Sequence, residues 1–342
     1  MSYKVARTRR NPPARAEARG YPPIYVGVNR DSLTYGNFSY TVDETTAGVL
    51  PGIARTDYNS SSVTGSVTLN APNTTFTNLN FNGDIKPVGA NMKFKNCKFV
   101  GGVGHPGGNT GCVNATGNGD HNGLEFEDCT FEARSPSYYR DGIVGNSYKT
   151  TRCISTGVND GFGAFSNPSG AGNCDVEQWG CWAHDLLWWL QDPAHTDGLG
   201  THNDGCQYQG GSHLRIVGGR YDCYVLVAAG STGTNSRPAP NGKYYGGSAI
   251  ILNQTTHQAS DVQVYGNELT GGYAQLQLNG GSTWGLTCTL GENRYGRDVY
   301  DNYPANPDKR WVAIAYNATL NAAGLYTSQR WDDDHTLLTA GR

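Results

Sequence analysis

The chain has 342 residues and a net charge of −3, and only 16% of its residues are charged. It contains 47 Gly and 21 Tyr but only two Met, and windows rich in Leu, Ala, Glu and Lys are nearly absent, which argues against a helical protein. Its nine Cys include no Cys-x-x-Cys pair, so neither a full disulfide framework nor a zinc site is indicated. The composition predicts an all-β protein with many turns and buried free thiols.

The first 20 residues form a basic arm that is too polar to fold by itself. The arm could bind nucleic acid, an anionic surface or an acidic socket on a partner, or it could be a solvated tail. No apolar run reaches the ~18 residues of a membrane span, and the arm lacks the hydrophobic stretch of a signal peptide. We therefore expect synthesis in a cytoplasm without export by the general secretion route. The arm carries Glu17 against six basic residues: Lys4, Arg7, Arg9, Arg10, Arg15 and Arg19.

A repeated unit follows from about Ser60, with the pattern apolar-x-apolar-x-x-small-x-apolar before a Gly or a polar turn residue. Its copies cover residues 74–81, 92–99, 124–131, 148–155, 174–181, 214–221, 262–269 and 288–295. The distance between successive copies returns to about 25 residues but tolerates insertions. This is typical of a parallel β-solenoid, in which each coil pairs only with its neighbours. A β-sandwich would instead need hairpin turns every ~8–12 residues.

The repeat divides the chain into four predicted parts. We expect a basic attachment arm at residues 1–20, an N-terminal cap at 21–59, a parallel β-helix at 60–299, and a C-terminal cap or subunit-contact segment at 300–342.

Three carboxylates fall into one predicted column. Asp141, Asp160 and Asp204 each directly precede the Gly that starts the second strand of three consecutive coils. Carboxylates in neighbouring coils would lie ~5 Å apart, a spacing that raises a pKa and that retaining glycosidases use. The column could instead hold a calcium ion, or Asp-Gly could be only the turn that starts each strand.

The stretch from His195 to Gln207 holds two copies of His-x-Asp-Gly and is the densest titratable cluster of the chain. His195 and His202 could act as acid or base, or join Asp197 and Asp204 as metal ligands, although the spacing is a weak metal signal. Gln207 could hydrogen-bond a sugar or belong to a ladder of stacked amides.

A run rich in Trp precedes this stretch. Exposed rings of Trp182, Trp188 and Trp189 would offer flat apolar faces to pyranose rings, but the same run could bury against a neighbouring subunit, which we favour slightly. The candidate glycan contacts are Gln207, Trp182, Trp188, Trp189, His195 and Asp197.

Several segments together resemble the right-handed parallel β-helix proteins of the pectate-lyase-like superfamily. The nearest likeness is to the β-helix domain of actinobacterial secreted proteins and of minor tail or tailspike proteins of phages that infect those bacteria. It covers roughly residues 45 to 335. The segments are 94–99, 124–129, 202–207, 247–252, 271–276 and 293–298.

The resemblance implies a groove, lined by Asp204 and His202, in which glycans are bound or cleaved. A lyase of this superfamily would also need an Arg or Lys as base, for which Arg215 and Arg220 are available, and usually calcium. The set of motifs typical of polygalacturonases is not present, which disfavours that activity.

The resemblance and the missing signal peptide predict a phage minor tail protein of the tailspike type. We expect it to attach through residues 1–20 to other tail or baseplate proteins, to face host cell-surface polysaccharide and to form a homotrimer. We expect no nucleic-acid partner, no membrane span and no cofactor, with calcium left open. Two functions compete: adhesion without catalysis, and depolymerisation of the glycan by a hydrolase or lyase. In the second, Asp204 and Asp160 serve as acid and base or nucleophile, beside Asp141 and His202.

Overall fold

A computed structural model describes residues 42–116, 123–166, 172–196, 198–235, 237–239, 241–279, 286–297, 314–316, 320–323, 329–332 and 337. The basic arm, residues 21–41 of the expected cap, Asp197 and most of the C-terminal segment lie outside these residues.

The described residues form 28 strands and no helix, which confirms the all-β prediction. In chain order the strands are β1 Thr56–Asp57, β2 Ser66–Leu69, β3 Thr75–Thr77, β4 Leu79–Phe81, β5 Asp84–Pro87, β6 Lys93–Lys95, β7 Lys98–Phe99, β8 Thr110–Ala115, β9 Leu124–Glu127, β10 Thr130–Glu132, β11 Arg140–Gly145, β12 Tyr148–Thr151, β13 Ile154–Thr156, β14 Phe162–Ala164, β15 Asn173–Trp179, β16 Trp182–His184, β17 Leu186–Trp188, β18 Cys206–Val217, β19 Arg220–Val227, β20 Tyr244–Tyr245, β21 Ser248–Tyr265, β22 Glu268–Gly271, β23 Ala274–Asn279, β24 Leu286–Gly291, β25 Arg294–Tyr295, β26 Ile314–Tyr316, β27 Leu320–Ala323 and β28 Arg330–Trp331.

All of these strands except β17 and β20, which pair with β19, form three rows. The chain passes through the rows in the same order each time, and we call one such passage a coil. The first row runs β1-β4-β7-β10-β13-β16-β19-β22-β25-β28. The second row contains β2, β5, β8, β11, β14, β23 and β26, and the third contains β3, β6, β9, β12, β15, β24 and β27. The long strands β18 and β21 belong to both of these rows, because their first parts pair with β14 and β23 and their last parts with β15 and β24. Pairing along each row is parallel, so the arrangement resembles a parallel β-helix.

The core consists of like side chains stacked from coil to coil. Phe76, Phe94 and Phe126 stack in the third row with ring centroids 5.1 and 5.0 Å apart. A second column in the first row stacks Phe81, Phe99 and Phe131 in the same way. Because parallel strands in register place equivalent residues one strand spacing apart, identical flat rings stack face to face through the interior.

Seven of the third-row strand segments have two residues in the left-handed conformation, five positions apart, at their corners. Asn, Asp and Gly tolerate this conformation best, which explains why they recur at these corners. The pairs with positive φ at both members are Asn73 and Asn78, Asn91 and Asn96, Gly123 and Asp128, Ser147 and Arg152, Asp175 and Gly180, His213 and Gly218, and Asp261 and Gly266.

These corner residues correct one copy of the predicted repeat. Trp179 pairs with Thr151, so Cys181 and not Trp179 is the equivalent of Cys153. The copy expected at residues 174–181 therefore lies at 176–183. A shift of two residues keeps the same face of a strand inward, which is why the sequence pattern alone allowed it.

Residues 42–55, which we call the strap, lie against the first row within the segment expected to cap the stack. Val42 and Ala47 pack with Ile154 and Trp182, four and five coils away from β1. The chain continues from the strap into β1, which is the end strand of the first row and pairs with β4. Three backbone N–H groups hold it: Gly48 donates to Arg152 O (2.8 Å), Val49 to Thr130 Oγ1 (3.0 Å) and Leu50 to Asn96 Oδ1 (2.6 Å).

Candidate functional site

The three predicted carboxylates lie in one column, where the chain enters the second row. The N–H of Asp160 donates to Asp141 Oδ1 at 3.0 Å, and the N–H of Asp204 donates to Asp160 Oδ1 at 2.7 Å. The N–H of Ser248 continues the series by donating to Asp204 Oδ1 at 2.6 Å. The three Asp residues thus lie in the one column that their alignment predicted, and each carboxyl group accepts a hydrogen bond from the backbone of the next coil.

The Gly after each Asp is required by the close approach of the coils. A Cβ on Gly142 would collide with the carbonyl oxygen of Gly161, and one on Gly161 with that of Gly205. An alignment of the strands that begin with Gly also predicts that Gly111 and Gly247 take this position, and there it is wrong. Gly111 pairs with Asp141 itself, and Ala249 is in register with Gly205, while Gly247 lies two residues earlier. A Gly without the preceding Asp is therefore no marker of this column.

Burial shifts the ionisation of the column. It raises the pKa of Asp160 to about 6, although the hydrogen bond from Asp204 works in the opposite direction. Burial and the nearby charge of Asp160 raise the pKa of both Asp141 and Asp204 well above the usual range. Asp192, which was not among the predicted residues, adds a further negative charge that raises the pKa of Asp141 and Asp160. A carboxyl group with a raised pKa can act as an acid near neutral pH, but Asp160 and Asp204 are only 8% and 4% exposed.

The second His-x-Asp-Gly copy is divided between the carboxylate column and the loop that carries the first copy. Asp204 is buried in the column, whereas the ring of His202 is exposed and stacks on His195 with centroids 4.0 Å apart. His195 Nε2 lies 3.7 Å from Asp192 Oδ2. Asp197 lies outside the described residues. The first copy therefore belongs to a loop beside the column, and the acid and base roles of His195 and His202 stay predictions.

The three Trp side chains are buried. Trp182 is covered by the strap on the first row, with the guanidinium of Arg220 5.3 Å from its ring. Trp188 is 1% exposed in the main core and donates through Nε1 to Leu199 O. Trp189 is 8% exposed and packs edge-on against Tyr138. Stacking on a sugar needs an exposed face, which none of the three rings offers in the described state, so their glycan contacts stay predictions.

Gln207 lies on the outer face of the second row, in what we call the outer column. The buried neighbours Cys206 and Tyr208 point into the core, so the alternation of a strand turns Gln207 outward. Gln209 Nε2 donates to Gln207 Oε1 at 3.2 Å. The outer column, defined by strand register, contains Asn114, Val144, Gly163, Gln207, Ile251 and Gln277.

Sequence reasoning missed the rest of this face. Asn114 and Gln277 follow the inward Val113 and Leu276 by one position, as Gln207 follows Cys206, so the alternating pattern carried the signal. Phe165 is half-buried, and its ring lies over Gly163.

The candidate bases of a lyase lie elsewhere. Arg215 binds Asp261 with both carboxylate oxygens at 2.8 Å on the third row, and Arg220 pairs with Asp222 and Glu268 on the first row. Both guanidinium groups are thus engaged in ion pairs away from the carboxylate column. Among the described residues, no group of three or more His, Cys, Asp or Glu side chains is arranged to hold a metal ion.

Comparison with known proteins assigns no family. No protein-family model, curated protein or solved structure matches the chain. Within the described part of the chain, no helix has the length and apolarity that a membrane crossing needs. Arguments about function therefore rest on the residues of the column, the outer face and their surroundings.

Proposed function

We propose that the chain is a right-handed parallel β-helix whose second row binds glycan on its outer face, and that it serves as a tail protein with which a phage adheres to its host. In this proposal it binds cell-surface polysaccharide without cleaving it.

The observation that carries the proposal is the chemistry of the outer face. Asn114, Gln207 and Gln277 present side-chain amides that both donate and accept hydrogen bonds, as sugar hydroxyls require. The half-buried ring of Phe165 adds an apolar face among them. Because the coils repeat every ~4.8 Å, an extended chain of sugars along the stack would meet an amide at three of the six positions of the outer column, with Val144, Gly163 and Ile251 between them.

The sequence supports the placement in a phage tail. The resemblance to tailspike-type proteins, together with a basic arm ahead of the strap, suits a protein that attaches by residues 1–20 and projects its body outward. A homotrimer is proposed on the same ground, since such rods assemble with closed symmetry.

Binding to cell-envelope polysaccharide from actinobacteria tests the adhesive function. Gln207→Ala and Gln277→Ala should each weaken the affinity about 3- to 10-fold, because each removes one amide group from the face. The double variant should lose roughly the product of the two factors. Thr289→Ala, at an exposed third-row position, is the matched control. Unchanged affinity of the double variant would overturn the proposal.

Depolymerisation is the second candidate, favoured by the raised pKa of Asp160 and its neighbours. The assay is the release of reducing ends or unsaturated uronates from the same polysaccharide. If the unchanged protein releases new ends and Asp204→Asn does not, the function is depolymerisation and the adhesive proposal fails. Binding without release would support adhesion.

Gene neighbourhood tests the virion assignment independently. Flanking genes for a tape-measure protein and baseplate proteins would support it, whereas genes of bacterial cell-wall metabolism would contradict it.

A further inference from the structure

A cleft of about 410 Å³ lies at the N-terminal end of the second row. It is lined by residues 105–109, between β7 and β8, and by residues in or next to β2, β5 and β8. Its volume is within the range of small-molecule sites. None of the residues singled out from the sequence belongs to it.

The loop that walls the cleft is held in place, so the cleft belongs to the folded structure and need not form on binding. Arg140, itself 1% exposed, fixes both the loop and the floor by binding Gly104 O and the carboxylate of Asp84. Three further contacts complete the support: Val103 N–H donates to Val63 O (2.9 Å), Ser137 Oγ lies 2.6 Å from His105 Nδ1, and Thr110 N–H donates to Tyr139 O (2.8 Å).

The charge and polarity of the residues that line the cleft indicate which class of ligand it can bind. The lining has no Lys or Arg, and its one carboxylate, Asp84, is already neutralised from behind by Arg140. The one exposed lining residue that can carry positive charge is His105, whose Nδ1 is already bonded to Ser137 Oγ, so an anionic ligand would meet a carboxylate without a Lys or Arg to pair with. An apolar ligand would find Pro106 as its only large apolar neighbour. Hydroxyls and amides dominate instead, from Thr64, Ser66, Asn109, Thr110 and Asn114. This lining fits an uncharged ligand rich in hydroxyl groups.

Asn114 belongs both to the cleft and to the outer column. We infer that the cleft binds the uncharged terminal sugar of a glycan whose following residues lie along the outer column. This inference rests on the proposed glycan-binding function, which it deepens by assigning the end of the chain and its charge. The cleft then fixes where along the stack the glycan begins.

Free monosaccharides test the cleft separately from the polysaccharide. Glucose, galactose, mannose, rhamnose and N-acetylglucosamine, with glucuronate and galacturonate as charged counterparts, are titrated onto the full chain by saturation-transfer NMR. At least one neutral sugar should bind more tightly than either uronate. Gly108→Trp should abolish this binding, because a Cβ at Gly108 meets no atom within 4 Å and the indole can fill the cleft without displacing the backbone. Thr289→Trp on the third row is the control that keeps binding.

A milder variant keeps the test valid if Gly108→Trp unfolds. Asn109 is exposed at the cleft, and Asn109→Ala should weaken binding of the same sugar about 3- to 10-fold. Three results would overturn the inference: no binding of any neutral sugar, uronates bound as tightly as neutral sugars, or binding unaffected by both cleft variants. If polysaccharide binding meanwhile still depends on Gln207 and Gln277, the cleft fails and the proposed function stands. If the cleft variants abolish monosaccharide binding while the Gln variants leave polymer binding unchanged, the cleft stands and the outer column fails.

Discussion

The N–H of Asp204 donates to Oδ1 of Asp160 at 2.7 Å although 44 residues separate the two along the chain. The same arrangement links Asp160 to Asp141 and Ser248 to Asp204, so one hydrogen-bonded series crosses four coils. Ser248 ends the series, and its hydroxyl donates to Gln277 Oε1 at 2.9 Å. The carboxylate column therefore orients a residue of the outer column, and a change in its protonation acts next to the proposed glycan face.

Replacing Asp160 by Asn should remove a pH dependence of stability. The folded-state pKa of Asp160, about 6, lies above its value in the unfolded chain, so the native state holds the proton more tightly. The contribution of Asp160 to the free energy of unfolding is fully present below its pKa in the unfolded chain and is lost as the pH rises through about 6. Asp160→Asn keeps an acceptor for the N–H of Asp204 and never ionises. We expect a gain of about 1 to 3 kcal/mol in the free energy of unfolding at pH 8 and little change at pH 4.

Urea unfolding of both proteins from pH 4 to pH 8 measures this difference. Asp57→Asn is the control, because Asp57 is an exposed carboxylate outside the column. An Asp160→Asn protein that loses stability equally at both pH values would contradict the raised pKa.

Gly161 should not tolerate Ala. A Cβ there collides with the carbonyl oxygen of Gly205 and lies 2.9 Å from Ala183 Cβ, so the coils must separate or the column must distort. Overpacking of this kind costs about 1 to 3 kcal/mol. Gly108→Ala is the matched control, since its Cβ meets nothing within 4 Å, and it should change stability by less than about 1 kcal/mol. Thermal melting of the two variants decides the comparison, and equal melting temperatures would contradict the close approach of the coils.

The parts of the fold that could be predicted from the sequence are those in which the same residue type recurs at the same position of successive coils. Asp141, Asp160 and Asp204 were placed in register because each precedes a Gly that the close coils require. Trp179 was misplaced because the apolar pattern has a period of two and permits a slip of two residues. The left-handed pair Asp175 and Gly180 would have fixed that register, since the pair Ser147 and Arg152 brackets the preceding coil in the same way.

The long-range parts could not be predicted in this way. The position of the strap depends on contacts between Val42 and Trp182, which no local pattern encodes. The cleft depends on Arg140 reaching Asp84, 56 residues earlier in the chain. Burial of Trp188 and Trp189 is likewise set by the loop that folds over them, because a Trp-rich run is equally compatible with an exposed platform.

Asn267 occupies the sixth position of its repeat copy and belongs to a buried amide series with Asn293, the residue at the same position of the next copy. Its Oδ1 accepts from the N–H of Gly219, and its Nδ2 donates to Ile216 O and to Asn293 Oδ1. Asn267→Ala removes these three side-chain hydrogen bonds from a fully buried position, so we expect a loss of about 2 to 4 kcal/mol in the free energy of unfolding. Asn109→Ala, at an exposed Asn, should cost less than about 0.5 kcal/mol. Denaturant titration distinguishes the two, and a loss at Asn267 as small as at Asn109 would show that the series does not stabilise the stack.

The strap offers a comparison between two Gly residues with the same backbone conformation. Gly48 and Gly52 have φ values of 74° and 76°, so Ala at either position meets the same left-handed strain of about 1 kcal/mol. Only at Gly48 does the added Cβ also meet a neighbour, Ile154 Cδ1 at 2.6 Å. Gly48→Ala should therefore lift the strap from the first row and break the hydrogen bond from Gly48 N–H to Arg152 O, whereas Gly52→Ala should leave the strap in place.

Limited proteolysis within residues 42–55 measures the release of the strap. Cleavage should be at least about 10-fold faster in Gly48→Ala than in Gly52→Ala, because a steric penalty of about 1.4 kcal/mol or more shifts the opening equilibrium tenfold. Because Trp182 packs against the strap, its fluorescence should also shift in the Gly48 variant alone. Equal cleavage rates in the two variants would mean that the strap is held by its other contacts. In that case the packing of Val42 and Ala47 would be what fixes the strap beside Trp182.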